Sequence, residues 1–362
     1  MKVAIVHYWL IGMRGGEKVL ENICEIYPKA DIFTHVYDKK SISTKINNHN
    51  IYTTFINHLP LSRKYYKYYL FLMPLALRLL NLKKYDLIIS SESGPSKGIT
   101  KSNNSFHICY CHTPMRYLWD FYYEYYNSLN ILGKIGLSIF KKYLKKWDVR
   151  TASSLDLVIS NSRFVSDRIG RCWNKKSFIV HPGIDFSYYL LSKSKQNFYL
   201  VISELVDYKR IDLVVDAFNL NKKEILIVGK GPLYNKLLNI SNNNIKFLGW
   251  QTEEMKLFYL QNCKALIFPG IEDFGIVPLE SMAVGKPVIA YKCGGVLDYL
   301  KEDLNGKYFN EQTTDSLNYC IQNFELNEKT FVPSKIRKSI KNFSNSNFKN
   351  KFKEIVDLQL KR

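Results

Sequence analysis

The chain has 362 residues, of which 46% are hydrophobic and 23% are charged, a balance typical of a folded protein and not of a disordered one. This length exceeds what one ordinary hydrophobic core holds and predicts two domains. Lys and Arg number 52 against 32 Asp and Glu, so the net charge is +20 and the chain needs an anionic partner: nucleotide phosphates, an anionic membrane surface or nucleic acid.

The 7 cysteines are scattered and form no C-x-x-C pair, which argues against a zinc ribbon and against a disulfide framework. Cys109 and Cys111 alternate along an apolar segment, so we expect both to pack on one strand face and not to bind a metal with His112. Reduced cysteines in this number fit a cytoplasmic setting. The longest apolar stretch, 68–77, contains a proline and falls short of the roughly 20 residues that a membrane-spanning helix needs.

The first predicted elements are a buried strand, a glycine-rich loop and a helix. The strand covers Val3–His7, the loop covers 12–17 and includes Gly15 and Gly16, and the helix turns Val19, Leu20 and Ile23 inward. This order places backbone N–H groups against a ligand. The loop does not have the G-x-G-x-x-G spacing, so it does not predict a dinucleotide site.

Residues 61–84 are basic, aromatic and amphipathic, and a similar block follows at 141–147. This composition is typical of helices that lie at a membrane interface, but it also fits an ordinary helix with a solvated Lys/Arg face. Nucleic-acid binding would also use the charge. The sequence has no zinc finger and no RNP-like aromatic pair, so we expect no nucleic-acid partner.

Three further buried strands are predicted in the first half, at 85–90, 106–111 and 155–160, with a polar turn at 91–94. His112 follows the end of the second of these strands and precedes a proline-marked turn. Because histidine titrates near neutral pH, a histidine there can donate or accept a proton. The position suits a site residue, although a lone histidine is more often structural.

The second half begins after a polar linker at 192–196. A strand at 199–203 leads to Lys209 and Arg210, which lie in a loop before a helix. Both suit a pyrophosphate, because the lysine ammonium is a compact positive charge and the arginine guanidinium can donate two parallel hydrogen bonds. A strand at 225–228 ends in a glycine turn that contains Gly229, and the segment 245–250 follows. Helices are predicted at 313–325 and 334–360, the second with Phe348, Phe352 and Val356 on one face.

The segment 264–300 contains the pattern that most strongly indicates a ligand-binding site. A strand at 265–268 is followed by a loop with Glu272 and Gly275, a helix from about 277 that carries Glu280, and a strand at 288–290 before Gly294-Gly295. Ligands in open parallel sheets lie outside the carboxyl ends of the strands. The glycine lets backbone N–H groups approach a ligand, the helix N-terminus favours an anion, and the carboxylates accept hydrogen bonds from hydroxyls. A phosphate flanked by hydroxyl acceptors predicts a sugar nucleotide.

Glu272-x7-Glu280, within the segment GIEDFGIVPLESMAVGKPVIAYKCGG, resembles the donor-site signature of the retaining family 4 glycosyltransferases, which have the GT-B fold. The segment CHTPMRYLWD, at 111–120, resembles a motif of bacterial family members that build surface polysaccharides, especially mannosyltransferases. The resemblance covers nearly the whole chain. Two positions depart from the family pattern: Glu204 stands where many members have Arg, and Lys230 stands where many have Asp.

The resemblance implies an α/β fold of two doubly wound Rossmann-like domains with an interdomain cleft. The first domain would span 1–185 on the acceptor side, the second would span 193–340 and bind the nucleotide-sugar, and 341–362 would form a helix that returns to the first. The expected catalytic residues are Glu272, which orients the sugar, and His112; Glu280 holds the ribose. Arg116 and Trp119 are expected on the acceptor side. The other expected donor-binding residues are Gly15, Gly16, Lys209, Arg210, Gly229, Phe274, Gly275 and Ile276.

The resemblance also implies the reaction. We expect transfer of a hexose, with mannose from GDP-mannose as the favoured donor, to a hydroxyl of a lipid-linked bacterial surface polysaccharide such as O-antigen. The enzyme would be cytoplasmic and peripheral on the inner face of the cytoplasmic membrane, with that anionic surface as a partner. We expect no cofactor and no metal, because the chain has no Asp-x-Asp triplet. Alternatives are a UDP-sugar transferase or a nucleotide-sugar epimerase of the same fold, a sugar-binding protein without turnover, and an RNA-binding protein.

Overall fold

The computed structural model of the protein describes residues 1–120, 122–192, 194 and 196–361. The chain forms two compact units, the first made of Met1–Gly183 with Ser346–Arg362 and the second of Ile184–Asn345. The sequence predicted domains at 1–185 and 193–340 with a terminal helix at 341–362. The chain therefore enters the second unit at Ile184, one residue before the predicted end of the first domain. Residue 193, the predicted start of the second domain, lies outside the described residues.

The first unit is built on a parallel sheet of seven strands. Its strands are β1 (Val3–His7), β2 (Asp31–Thr34), β3 (Ile51–Thr53), β4 (Leu87–Glu92), β5 (Phe106–Cys111), β6 (Leu157–Ser160) and β7 (Phe178–Ile179). The spatial order is β3-β2-β1-β4-β5-β6-β7 and every pairing is parallel. β1 and β4 are buried along their whole length, as strands covered on both faces are, which explains why apolar residues follow one another at 3–6 and at 87–89.

Helices connect these strands. They are α1 (Gly15–Ile26), α2 (Thr44–Asn47), α3 (Ser62–Tyr65), α4 (Met73–Arg78), α5 (Tyr122–Ser128), α6 (Ile131–Ser153) and α7 (Arg163–Trp173). α1 buries Val19, Leu20 and Ile23, which confirms its predicted inner face. Gly15 and Gly16 lie in its first turn and not in the preceding loop, which corrects the predicted start of the helix.

The second unit is built on a parallel sheet of six strands in the order β10-β9-β8-β11-β12-β13. The strands are β8 (Tyr199–Ile202), β9 (Ile225–Val228), β10 (Ile245–Gly249), β11 (Leu266–Phe268), β12 (Val288–Tyr291) and β13 (Gly306–Phe309). The helices are α8 (Ile211–Asn221), α9 (Tyr234–Asn239), α10 (Glu253–Asn262), α11 (Ile276–Ala283), α12 (Thr314–Leu326) and α13 (Pro333–Ser339). In both sheets the strand order runs outward in two directions from the first strand, which confirms two doubly wound domains.

The predicted single helix over 334–360 is wrong, because the structure breaks it. α13 ends at Ser339, and α14 (Asn345–Leu360) begins after an extended Ser344. The backbone N–H of Ile184 donates to the carbonyl of Phe343 at 2.9 Å, and that of Asn345 donates to the carbonyl of Ile184 at 3.1 Å. These bonds draw the backbone away from helical pairing at the point where the chain leaves the second unit.

α14 has the predicted apolar face. Phe348, Phe352 and Val356 are buried in the same hydrophobic core as Ile5 and Tyr110 of the first unit. The rings of Tyr110 and Phe348 meet edge to face with their centroids 5.7 Å apart. The last helix therefore fills the core on one side of the first sheet.

The segments 91–94 and 61–84 of the first unit differ in secondary structure from what the sequence suggested. The predicted turn at 91–94 begins later, because β4 continues through Ser91 and Glu92, which are fully buried. Residues 61–84 form α3, a 3-10 segment at Tyr66–Leu72 and α4, and not one long helix. Within the described parts of the chain, no helix is both long enough and apolar enough to cross a bilayer.

Candidate active site

The start of α11 is the centre of the site in the second unit. β11 ends at Phe268, and the loop that follows runs to Gly275, whose φ of 80° is in the left-handed region. A Cβ at Gly275 would lie 2.9 Å from both the Phe268 ring and the Tyr299 hydroxyl, so only glycine fits. The residue before the helix that begins at Ile276 is this glycine, so the N-cap position itself has no side chain to cap the helix. Its first N–H groups and its dipole favour an anion there.

Glu272 lies in this loop and forms an ion pair with Lys209, which lies in the loop after β8. The two side chains are partly exposed, at 25% for Glu272 and 15% for Lys209. The loop after β11 approaches that after β8 so closely that a Cβ at Gly270 would lie 2.9 Å from the Cα of Lys209. The structure therefore brings together two predicted site residues that are more than sixty positions apart in the sequence.

Hydrogen bonds from Gly295 and Tyr299 hold the backbone of the Glu272 loop in place. The N–H of Gly295 donates to the Glu272 carbonyl at 2.9 Å. The Tyr299 hydroxyl donates to the carbonyls of Phe274 at 3.0 Å and Gly275 at 2.7 Å. Burial raises the pKa of Tyr299 well above its ordinary value, and the Glu272 carboxylate raises it further, so the hydroxyl remains a donor. Sequence reasoning missed Tyr299, which follows the Gly-Gly turn by four positions.

Glu280 lies in the fifth position of α11 and is almost fully buried. Its carboxylate accepts a hydrogen bond from the Tyr189 hydroxyl. Burial raises the pKa of Tyr189 far above the ordinary range, and Glu280 raises it further. Tyr189 therefore holds Glu280 in place, although nothing in the sequence around Tyr189 marks it as part of a site.

The remaining predicted donor-side residues of this unit take different positions. Arg210 adopts a left-handed backbone conformation with a φ of 55°, and its Nε lies 3.2 Å from Oδ1 of Asp212, so its pyrophosphate role stays a prediction. The Gly229 N–H donates to the carbonyl of Gly249 at 2.7 Å, which ties the ends of β9 and β10 together. The ring of Phe274 is buried against Tyr299, with a distance of 5.5 Å between the ring centroids. Any contact of Phe274 with a donor would therefore be made by its backbone and not by its ring.

In the first unit, His112 follows the end of β5 and takes part in a chain of polar side chains. Its Nε2 lies 2.8 Å from the Ser91 hydroxyl at the end of β4. That hydroxyl lies 2.9 Å from Nδ1 of His7, at the end of β1, and Nε2 of His7 lies 3.4 Å from Oε1 of Glu17 in α1. The carboxyl ends of three neighbouring parallel strands thus meet here.

Gly16 lies beside this chain. A Cβ at Gly16 would lie 2.2 Å from the Tyr8 hydroxyl and 3.8 Å from Nε2 of His112, so a larger residue would displace the tyrosine. The structure therefore brings Gly16 close to His112, whereas sequence reasoning missed His7, Ser91 and Glu17. Their common signal was polarity at the end of an apolar strand or the start of a helix.

The loop after His112 is held by a buried arginine. Arg168 of α7 is fully buried and donates to the Asp120 carboxylate at 2.5 Å, to the Thr113 hydroxyl and to the Pro114 carbonyl at 3.3 Å. Because one rigid guanidinium contacts three points of the loop, the loop is held in one conformation. Arg116 lies half-buried between these points.

Trp119 contacts a buried charge cluster made of Lys97, Glu92 and Asp148, none of which is exposed. Its indole N–H donates to Oδ2 of Asp148 at 2.9 Å, and that of Trp173 donates to the same oxygen at 2.7 Å. Burial alone would lower the pKa of Lys97, but the carboxylates of Asp148 and Glu92 outweigh it and raise that pKa. The cluster anchors Trp119 structurally, and its acceptor-side role stays a prediction, as does that of Arg116.

The cysteines are placed as the sequence predicted. Cys109 and Cys111 are both fully buried in one hydrophobic cluster, which confirms their packing on one face of β5. In the part of the chain that the structure describes, no group of three or more His, Cys, Asp or Glu residues is arranged to hold a metal ion. That the reaction needs no metal and no cofactor stays a prediction.

Family comparisons cover both units. The family described as Glycosyltransferase Family 4 matches residues 13–188, and that described as Glycosyl transferases group 1 matches residues 189–344. Together the two matches cover the chain from the glycine loop to the end of the second unit.

Three curated relatives are informative. An uncharacterized glycosyltransferase of Methanocaldococcus jannaschii is 26% identical over 197 residues, which is 53% of this chain and 55% of the relative. An alpha-1,3/1,6-mannosyltransferase of Dictyostelium discoideum is 26% identical over 288 residues, 65% of this chain and 66% of the relative. The O-antigen chain mannosyltransferase C of Escherichia coli is 28% identical over 114 residues, 30% and 31% of the two chains. The chain thus spans less than two thirds of the length of each of these relatives.

Among solved structures, that of HepE from Anabaena in complex with UDP-glucose matches with a TM-score of 0.72 at 16% identity and covers 99% of both chains. A likeness at this identity shows the fold, which is GT-B, as the motif resemblance implied. With both family matches and the Glu272-x7-Glu280 geometry, the chain belongs to glycosyltransferase family 4.

Proposed function

We propose that the protein transfers mannose from GDP-mannose, with retention of anomeric configuration, to a hydroxyl of a growing lipid-linked bacterial surface polysaccharide such as O-antigen. The observation that carries the transferase assignment is the Lys209–Glu272 pair beside the N-terminus of α11. The sugar rests on the names of two relatives, the alpha-1,3/1,6-mannosyltransferase and the O-antigen chain mannosyltransferase.

The donor diphosphate would bind at the start of α11. The N–H groups of Ile276 and Val277 and the positive end of the helix dipole face this position, and the Lys209 ammonium lies beside it. Donors that are already in place where charge develops stabilise a leaving group without reorganisation. This arrangement supports nucleotide-diphosphate departure without a metal ion.

Glu272 would orient the sugar and Glu280 would hold the ribose. The Glu272 carboxylate is partly exposed, so hydroxyls of a sugar can reach it, while the ion pair with Lys209 orients it. Glu280 is bonded to Tyr189, and its carboxylate would accept a hydrogen bond from a ribose hydroxyl. His112 would position a hydroxyl of the transferred sugar.

Retention follows when the acceptor attacks the anomeric carbon on the face that the diphosphate leaves. The bond between the anomeric carbon and the diphosphate oxygen breaks, and the acceptor oxygen bonds to that carbon on the same face. The acceptor proton passes to an oxygen of the leaving diphosphate. This route needs no protein base.

We also propose that the first unit binds an anionic membrane surface. In α6, Ile131, Ile135, Ile139 and Tyr143 are exposed at a spacing of four residues, which forms an outward apolar stripe. The Phe71 and Phe140 rings stack with centroids 5.1 Å apart and so join this stripe to the segment 61–84. That segment exposes Leu61, Tyr65, Tyr68, Phe71, Leu75 and Leu79.

Basic residues flank these apolar side chains, at 63, 64 and 67 in one segment and at 141, 142, 145 and 146 in the other. Exposed apolar patches mark interaction sites, and a patch with a basic margin suits anionic lipid. A lipid-linked acceptor would be presented at the same surface. The enzyme would then be peripheral on the cytoplasmic membrane.

A second candidate is transfer from a UDP-sugar. The observation that favours it is the likeness to HepE, whose structure contains UDP-glucose. The fold and the roles of Lys209, Glu272 and Glu280 would be the same, and only the base and the sugar would change.

The testing experiment is thermal unfolding of the purified protein with a panel of GDP-, UDP- and ADP-sugars. A ligand that binds only the folded state stabilises it by about 2.7 kcal/mol at about a hundredfold excess over Kd. Selective stabilisation by GDP-mannose is expected. Selective stabilisation by a UDP-sugar would favour the second candidate, and the absence of any response would contradict the donor site.

A further inference from the structure

Four buried polar side chains form a continuous hydrogen-bonded chain in the first unit. The order is Glu17, His7, Ser91 and His112, with separations of 3.4 Å, 2.9 Å and 2.8 Å between their polar atoms. His7 and Ser91 are fully buried, Glu17 is 2% exposed and His112 is 9% exposed. The chain therefore links a carboxylate inside the unit to the histidine assigned to the transferred sugar.

The Glu17 end of the chain is a fixed acceptor. Its Oε2 accepts the backbone N–H of Arg14 at 2.9 Å as part of the cap of α1, and its Oε1 faces His7. Burial acts to raise the pKa of Glu17, but the hydrogen bond from His7 and those from backbone N–H groups, that of Arg14 included, act to lower it, and the pKa is lower than usual. An ionised carboxylate has no proton to donate.

The geometry between Glu17 and His7 favours a neutral imidazole. Their separation of 3.4 Å exceeds the about 2.7–2.9 Å of a charge-assisted hydrogen bond between a cation and a carboxylate. A neutral His7 that donates through Nε2 has its lone pair on Nδ1 and accepts the proton of the Ser91 hydroxyl. A hydroxyl has one proton, so the Ser91 oxygen must then accept from Nε2–H of His112.

We infer that Glu17 fixes the tautomer of His112, acting through His7 and Ser91, so that His112 carries its proton on Nε2 and its lone pair on Nδ1. A hydrogen bond that His112 makes through Nδ1 is then one that it accepts, which suits a sugar hydroxyl that donates. This inference deepens the proposed function and rests on the role given there to His112. Glu17, His7 and Ser91 are positioning residues.

The variant Glu17→Gln reverses the chain without changing its shape. The Arg14 N–H can only donate, so the amide oxygen of Gln must face it and the amide NH2 must face His7. His7 must then accept through Nε2 and donate through Nδ1, and Ser91 must donate to Nε2 of His112. The tautomer of His112 therefore switches to Nδ1–H while the helix cap is kept.

A second pair of variants interrupts the chain. Ser91→Ala removes the hydroxyl between the two histidines and leaves a smaller side chain in the same buried place. Ser91→Thr keeps the hydroxyl and serves as the matched control. If the hydroxyl carries the effect, Thr preserves what Ala loses.

The experiment uses the full-length protein with 15N-labelled histidine side chains, whose 15N shifts distinguish the two tautomers, and His112→Gln assigns the signal. The wild type is expected to have Nε2–H and Glu17→Gln to have Nδ1–H at His112. We expect kcat for Glu17→Gln and Ser91→Ala to fall by about 10-fold to 100-fold while KM for the donor stays within about twofold. Ser91→Thr is expected to keep the wild-type tautomer and most of kcat.

A wild-type Nδ1–H tautomer, or one that stays the same in Glu17→Gln, would overturn the inference. A tautomer that switches as expected while kcat does not change would leave the inference standing. That result would instead remove the proposed role of His112, so the two failures are distinguishable.

Discussion

The two units place polar residues at the same point of the same topology, yet they build different kinds of site. In the second unit the loop after β11 offers backbone N–H groups, a glycine turn and an ion pair that stays partly exposed. In the first unit, by contrast, His7, Ser91 and Glu17 are buried and bonded to one another, and only His112 approaches the surface. An exposed pair can exchange partners with a ligand, whereas a buried chain can only orient what lies at its end.

The difference also explains which site the sequence revealed. Glu272, Gly275 and Glu280 lie within nine positions of one another, so their pattern is readable along the chain. His7 and Ser91 are 84 positions apart and meet only because β1 pairs with β4. A contiguous loop leaves a motif, and a network across strands does not.

The largest expected effect is at the exposed pair. Glu272→Ala should lower kcat by about 10³-fold or more, because it removes the carboxylate that we propose orients the reacting sugar. The midpoint of thermal unfolding should change little, since Glu272 is partly exposed. Glu224→Ala is the matched control, as it breaks an exposed pair with Lys246 in the same unit. Retained turnover in a well-folded Glu272→Ala would remove the role assigned to Glu272.

The buried charges of the first unit should respond in stability. Lys97→Met leaves Glu92 and Asp148 buried without their cation and should lower the free energy of unfolding by about 3–5 kcal/mol in denaturant titrations. Lys101→Met breaks the partly exposed pair with Asp156 and should cost no more than about 1 kcal/mol. Equal losses in the two variants would show that burial does not set the cost.

The apolar stripe of α6 gives an intermediate effect. The double variant Ile135→Ser with Ile139→Ser should weaken binding to vesicles containing phosphatidylglycerol by about tenfold, because less apolar surface enters the interface. Its unfolding midpoint should stay the same, since both side chains are exposed. The control is Leu238→Ser with Leu326→Ser, two exposed positions of the second unit. Equal weakening in the control would indicate nonspecific adsorption, and unchanged binding in the α6 variant would favour an ordinary solvated helix.

The smallest expected effect is a pH dependence in the second unit. Burial acts to raise the pKa of Glu325, but hydrogen bonds from Lys223, Lys264 and Tyr199 outweigh it and lower the pKa to about 2. Because the folded-state pKa is depressed, the stabilisation is present above the unfolded-state pKa and is lost as pH falls through the folded one. The side chain is partly exposed, so screening limits the effect to about 1 kcal/mol.

Glu325→Gln should therefore flatten the loss of stability between about pH 4.5 and about pH 2 in acid titrations. The matched control is Glu302→Gln, which removes another carboxylate of the same unit. A slope that is the same in Glu325→Gln and in the wild type would contradict the depressed pKa.

Much of the fold was predictable because it depends on local patterns. The strands Val3–His7, Phe106–Cys111 and Ile225–Val228 have the predicted bounds, since short and mostly apolar runs of this length are typical of buried parallel strands. The start of α11 was also predicted to within one residue, because Gly275 marks it.

What the sequence did not predict depends on distant partners. The break between α13 and α14 follows from hydrogen bonds to Ile184, about 160 positions earlier. Glu92 was expected in a polar turn, but it is a buried strand residue that forms an ion pair with Lys97. Tyr189 holds Glu280 across more than ninety positions. None of these contacts leaves a local pattern, because each is created by strand order and packing.

Ile184 and Ser344, which pair with each other, lie at the two ends of the second unit, and this arrangement affects the order in which the units fold during translation. The second unit is one continuous insertion, while the first unit is completed only by the residues after Asn345. As the chain leaves the ribosome, the second unit has all of its residues before Phe348, Phe352 and Val356 exist to fill the core of the first. The unit whose translation begins first is therefore the last that can finish folding. Until α14 emerges, the apolar face of the first unit's sheet stays accessible to chaperones and to other nascent chains.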